Sequence, residues 1–202
     1  MNGKLIFYWD TCVFLDWFMS SRSKRTSQEM NGIIQMHDLT KEQENFQYWL
    51  FDMDDALERF FENLPNGLVM DLDFTLNSLG LLENWILNTY SSIAKIQAIE
   101  EASTIDGLVR YVGETFRKTL GGQWEIRFDD PKYIYYGLPQ LAHFSSPKIA
   151  PICPLRLITT CVARRKGHFL STILQNQIKL IPIKTTKTIP LKQPLLLVEK
   201  YG

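Results

Sequence analysis

A carboxylate at the end of a buried strand, just where the next helix opens, is a common way to hold a metal ion. Asp10 has that position, between KLIFYW and TCVFLDWFM. The same position suits a helix N-cap, in which the carboxylate accepts backbone N–H groups. One carboxylate holds hydrated Mg²⁺ weakly, so a metal role for Asp10 requires further acids such as Asp16 and others later in the chain. Glu114 lies four residues from both Arg110 and Lys118. No second acid is spaced to work with it in catalysis, so the trio reads as a solvated ladder of ion pairs, each worth roughly 0.2–0.5 kcal/mol. His143 precedes Ser145-Ser146, but the segment has no nucleophile elbow, third group or oxyanion motif. Cys12, Cys153 and Cys161, with His37, His143 and His168, fall in no structural-zinc spacing. An odd cysteine count without secretory features points to a reducing, cytoplasmic compartment.

Two charged groups are the other candidates. Asp52, Asp55, Glu58 and Glu62 share the outer face of a helix and suit a basic partner, or simply a solvated surface. Arg164, Arg165 and Lys166 form a short basic cluster. Formal net charge is zero, yet Met36–Gly107 holds 14 acidic against 3 basic residues, and Leu108–Gly202 holds 15 basic against 5 acidic. The two halves can attract each other or present two poles to a charged partner.

These side chains must be carried by recognisable elements. The organising stretch is STIDGLVRYVGETFRKTLGGQWEIRF. Ile105, Leu108, Val109, Val112, Phe116 and Leu120 have the spacing of a helix burying one face. Ser103 is the expected N-cap, with Asp106 in the capping-box position. Gly121 is the expected stop, and Trp124, Ile126 and Phe128 then alternate as a strand with one wet face. Gly113 costs roughly 1 kcal/mol inside a helix and is read as a site of close packing. A long amphipathic helix is expected from Asp38 or Thr40 to Leu64, ended by Pro65-Asn66-Gly67. A second runs from Thr75 to Tyr90, and a weaker one lies within Ser91–Ala102. Tyr133–Tyr136 reads as a short strand. Leu155–Ala163 fits either strand or helix, with the cationic end Arg164–Lys166 favouring helix, and Phe169–Gln177 reads as helical. The tail from residue 178 carries prolines and lysines and reads as an edge strand or a poorly ordered extension. No apolar run approaches a membrane span, and Asp10 and Asp16 interrupt any signal-peptide core.

The segment IFYWDTCVFLDWF resembles the first strand and helix of PIN-domain endoribonucleases, and the resemblance extends through QEMNGIIQM. It implies that Asp10 is a ligand for Mg²⁺ or Mn²⁺. It stops near residue 35, without the later strand-end acids of that family. From Met36 to Gln177 the chain resembles small uncharacterised bacterial proteins, through LDF, DGLVRYVGETFRKTLGGQWEI, YGLP and CPL…RRKGHFLSTIL. That resemblance implies a compact α+β domain, with immunity- or antitoxin-like binding as its analogy.

The expected fold is therefore α+β: amphipathic helices on a small antiparallel sheet. The expected organisation is a truncated PIN-like segment over 1–35, a domain over 36–177 and a basic, proline-containing tail over 178–202. The expected function is non-catalytic binding of a protein partner through Asp52, Asp55, Glu58, Glu62, Arg164, Arg165 and Lys166, with no cofactor. The alternative is a degenerate ribonuclease using Mg²⁺ or Mn²⁺ at Asp10. Nucleic-acid binding by the basic half ranks last, because the acidic half would repel phosphate.

Overall fold

The computed structural model describes residues 32–182, with side chains from Lys41 onward. Asp10, Asp16 and the expected N-terminal strand and helix lie outside the described residues, as does the tail from residue 183. The described chain is α+β: eight α-helices surround or flank one two-stranded antiparallel sheet. The helices are α1 (Gly32–Phe51), α2 (Met53–Glu62), α3 (Asn66–Val69), α4 (Leu76–Thr89), α5 (Ile93–Ile96), α6 (Ala102–Leu120), α7 (Pro154–Arg164) and α8 (Phe169–Ile178). A 3₁₀ turn, Ile99–Glu101, leads into α6.

Helix α6 is the axis of the fold. It packs against α2, α4, α7, α8 and the second strand. Its apolar face, Ile105, Leu108, Val109, Val112, Phe116 and Leu120, is buried, as the spacing predicts. Burial goes further, because every residue from Gly107 to Phe116 is inside. Two glycines make this possible. At Gly107 the Phe60 ring occupies the space a Cβ would need, and at Gly113 the Trp124 ring does so. The packing role read for Gly113 is thus realised.

The helix starts one residue before the expected cap. Ala102 is its first residue and Glu101 its N-cap, with no side-chain cap bond. Ser103 lies inside the first turn, and Asp106 is turned toward Trp49 and Arg110 instead of back to the helix start. Gly121, at φ 76°, closes the helix, and Gly122, at φ 89°, completes the corner into the sheet. Strand β1 (Gln123–Glu125) pairs antiparallel with β2 (Gln140–Ala142), Trp124 opposite Leu141. Pairing ends at Glu125, so Ile126 and Phe128 are not in the strand. Tyr133–Tyr136 is a turn segment and not a strand: Tyr136 N–H bonds the Tyr133 carbonyl, and Gly137 at φ 66° turns the chain back. The sheet partner follows that turn.

The expected long helix begins earlier, at Gly32, and crosses the expected domain start at Met36. Near its far end it breaks at Asp52, separating α1 from α2. The break is slight, since Asp52 N–H still reaches the Tyr48 carbonyl and Ala56 N–H the Asp52 carbonyl. Helix α4 has Thr75 as N-cap in a reciprocal capping box with Ser78. Leu155–Ala163 is helical, within α7, where Pro154 sits at the tolerant first position. Phe169–Gln177 is helical, within α8.

Candidate functional site

The outer face of α2 is a charged surface that the fold leaves uncovered. Ala56, Leu57 and Phe60 bury the inner face against α6, which turns Asp54, Asp55, Glu58 and Glu62 to solvent. Phe51, Asp55, Glu58 and Glu62 follow each other at i, i+4, i+7 and i+11, one stripe of helix surface. Phe51 is 91% exposed, an aromatic side chain at the head of an acidic row. Asp54, Asp55, Glu58 and Glu62 have no ion-pair partner among the described residues. Asp52 differs: it accepts from Arg59 Nη2 at 2.7 Å and lies 3.7 Å from Arg110 Nη2. It belongs to the joint between α1 and α2.

That joint is set by Arg110. Its side chain is 3% exposed. Nη1 donates to the Trp49 carbonyl at 2.7 Å, Nε to Asp106 Oδ2 at 2.8 Å, and the group lies 4.3 Å from the Trp49 ring centre. Trp49 Nε1 in turn donates to Asp106 Oδ1 at 2.7 Å. A helix end leaves carbonyls without helical partners, and here a buried cation supplies one donor, Nη1, to a carbonyl near the end of α1.

Glu114 is buried beside this joint. Arg117 donates to it through Nε and Nη2, both at 2.7 Å, and Trp124 Nε1 donates at 2.7 Å. The expected wet ladder of Arg110, Glu114 and Lys118 is therefore not formed. Arg110 and Glu114 are inside because α2 covers one flank of α6 and Trp124 another; Lys118 lies over the Phe74 ring at 3.4 Å. Burial by itself raises the Glu114 pKa. The hydrogen bonds from Arg117 and Trp124, with the charges of Arg117 and Lys118, outweigh it and hold the carboxyl below its ordinary 4.5. A depressed folded-state value gives stability that is present above the ordinary value and is lost as pH falls through the folded one. The stability difference between wild type and Glu114→Gln is accordingly expected to be constant above pH 4.5 and to shrink on acidification. Urea melts across acid pH would read it, and a gap that stays constant in acid would contradict it.

Between the two sites lies a shallow open groove of about 420 Å³, lined by Leu50, Met53, Asp54, Glu114, Arg117, Gly122, Gln123 and Trp124. That volume falls within the range of small-ligand clefts. The groove joins the α1–α2 joint to the start of β1, with the Trp124 indole as its aromatic wall.

The basic cluster is less available than its sequence implies. Arg165, at φ 48°, donates from Nη1 to the Tyr90 carbonyl at 2.8 Å and from Nη2 to the Leu87 carbonyl at 2.6 Å, closing the end of α4. The Arg164 guanidinium sits 5.3 Å from the Phe169 ring centre. Lys166 is exposed. A second polar centre spans the sheet. Tyr133 OH donates to Gln140 Oε1 at 2.7 Å, Gln140 Nε2 donates to Glu125 Oε1 at 2.8 Å, and Glu125 Oε2 lies 2.8 Å from His143 Nε2. This chain orients an exposed imidazole. The Ser146 hydroxyl donates to the Leu180 carbonyl, away from any role as a nucleophile for His143. Among the described residues, no three His, Cys, Asp or Glu side chains gather where they could hold a metal ion.

Local periodicity could not reveal the joint, because Trp49 and Arg110 are distant in sequence. Of the groove residues, Glu114 and Trp124 carry a sequence signal, though not for their pairing, and Asp54 stands beside Asp55 at the edge of the acidic stripe. Comparison with known families, characterised proteins and solved structures finds no match for this chain.

Proposed function

We propose that this chain is a binding protein without catalysis of its own, which holds a basic protein partner against the outer face of α2. The observation that carries the reading is the row of Asp55, Glu58 and Glu62, exposed and without cationic partners among the described residues, behind an exposed Phe51. A surface of that kind attracts and orients a basic face at long range, and an exposed aromatic supplies an anchor. Asp52 serves the joint, so the partner meets Asp54, Asp55, Glu58 and Glu62. Arg165 is tied to α4, which favours the acidic face over the basic cluster as the contact surface. The analogy with small bacterial proteins gives the role: an immunity- or antitoxin-like protein of the cytoplasm. No helix among the described residues is long and apolar enough to cross a membrane. The ribonuclease reading hangs on Asp10, outside the described residues, and no described feature favours it.

The test compares wild type with the triple variant Asp55→Lys, Glu58→Lys, Glu62→Lys as bait in an extract of the source cells. All three positions are exposed, so the variant is expected to melt within about 0.5 kcal/mol of wild type per site. Wild type is expected to recover a partner at low salt and to lose it at 1 M salt, where the screening length is about 3 Å. The variant is expected to recover none. A partner kept equally by both proteins, or no partner at any ionic strength, would overturn the reading.

A further inference from the structure

The groove beside Trp124 touches the acidic stripe through Asp54, and its chemistry is more specific than the stripe's. Its walls carry two carboxylates, one guanidinium, an indole and two flexible apolar side chains, Leu50 and Met53. The guanidinium is already matched, because Arg117 bonds Glu114 through two of its nitrogens. The indole N–H is also committed, to the same carboxylate, and the half-buried ring, packed on Gly113 and edge-to-face with Trp49, lines the groove. Asp54 is then the charge without an internal counterpart, exposed at the groove's edge.

We infer that this groove receives an arginine side chain of the basic partner. The inference rests on the reading of α2 as the partner-binding face. An arginine meets each wall with a different part of one side chain. Its planar cation is attracted to the face of a tryptophan. Its fork of donors matches a carboxylate such as Asp54. Its methylene stem covers aliphatic surface of the kind Leu50 and Met53 offer. A lysine offers the charge without the plane, and a neutral side chain leaves Asp54 unmatched. Asp54 and Asp55 are adjacent on α2, so a partner can place one arginine in the groove and further cations along the stripe.

The probe is arginine amide, titrated onto the full chain against citrulline amide, its neutral isostere. The readout is the Trp124 indole N–H resonance, assigned by through-bond NMR. Arginine amide is expected to give a saturating shift and citrulline amide none. Asp54→Asn is expected to weaken the arginine response roughly fivefold, the upper end for an exposed ion pair, and also to reduce recovery of the natural partner. The stripe variant, which leaves the groove intact, is expected to keep the arginine response while losing the partner. An equal response to both amides, no response to either, or an arginine response unaffected by Asp54→Asn would overturn the socket. Those results leave the stripe reading to its own test. An arginine response in a chain that recovers no partner at any salt would overturn both.

Discussion

Replacing Arg110 with methionine is expected to destabilise the protein by about 3–5 kcal/mol, the usual cost of removing one member of a buried ionic group. The methionine fills much of the space, so the loss is mainly electrostatic. The Trp49 carbonyl loses its 2.7 Å donor, and Asp106 keeps only the indole of Trp49. Asp106 is then a largely enclosed carboxylate without its cation. The second change Asp106→Asn in the same background is expected to recover part of the loss, because it removes the uncompensated charge while keeping an acceptor for the indole. Urea denaturation of the wild type, the single and the double variant would measure both steps. A loss below about 1 kcal/mol for the single variant, the scale of an ordinary surface ion pair, would show that the guanidinium does not hold the α1–α2 joint. The joint matters to binding because it sets how Phe51, at the end of α1, lines up with the acids of α2.

Glu83 carries the second large effect. It is fully buried on α4, and both of its oxygens accept backbone N–H groups at the start of α8: Phe169 at 2.8 Å and Leu170 at 2.8 Å. The first N–H groups of any helix lack internal acceptors, and an anion there also meets the positive end of the helix dipole. His168, the N-cap residue, makes no side-chain cap bond, so Glu83 does that work from a distance. Glu83→Gln keeps the shape but only one good acceptor, and is expected to cost about 1.5–3 kcal/mol, the range for a hydrogen bond to a charged group. Glu83→Ala adds a cavity and two unsatisfied donors, and is expected to cost more. Amide hydrogen exchange gives a local reading: the Phe169 and Leu170 amides should lose protection before the middle of α6 does. Equal loss of protection along the whole chain would assign Glu83 to general packing instead of the α4–α8 contact.

The α6 periodicity, the Gly-Gly corner and the start of α4 near Thr75 are legible in the sequence because each depends on residues within one or two helical turns. The same holds for α7, where Arg164–Lys166 marks the end of a helix that propensity alone leaves ambiguous. What local patterning misreads is set by partners far along the chain. Arg110 and Glu114 look like surface charges on a helix wheel, yet Trp49 and Trp124 close over them. Tyr133–Tyr136 has the composition of a strand, but no strand among the described residues pairs with it; the Tyr133 hydroxyl is drawn to Gln140, on the strand that does pair. Trp124–Phe128 alternates correctly, but its partner is only three residues long, so the pairing stops at Glu125. Glu83 was the most readable of the missed residues. It follows Leu79 by four and precedes Ile86 by three, which places a carboxylate on the apolar stripe of α4. A buried acid needs compensating donors, and that requirement alone points to a second element docked there.

The place of α6 in chain order has a consequence for how the domain can be divided. The helix lies midway along the described chain, and elements from both sides of it close upon it: α2 and α4 from the earlier part, β2, α7 and α8 from the later. Elements of both parts build their packing on it, and α4 also meets α7 and α8 directly, so no seam divides residues 32–182 into two separately packed pieces. Ancestry joined from separate fragments, if it shaped this protein, left no separable halves within residues 32–182: to lose either half is to strip one side of the same mast.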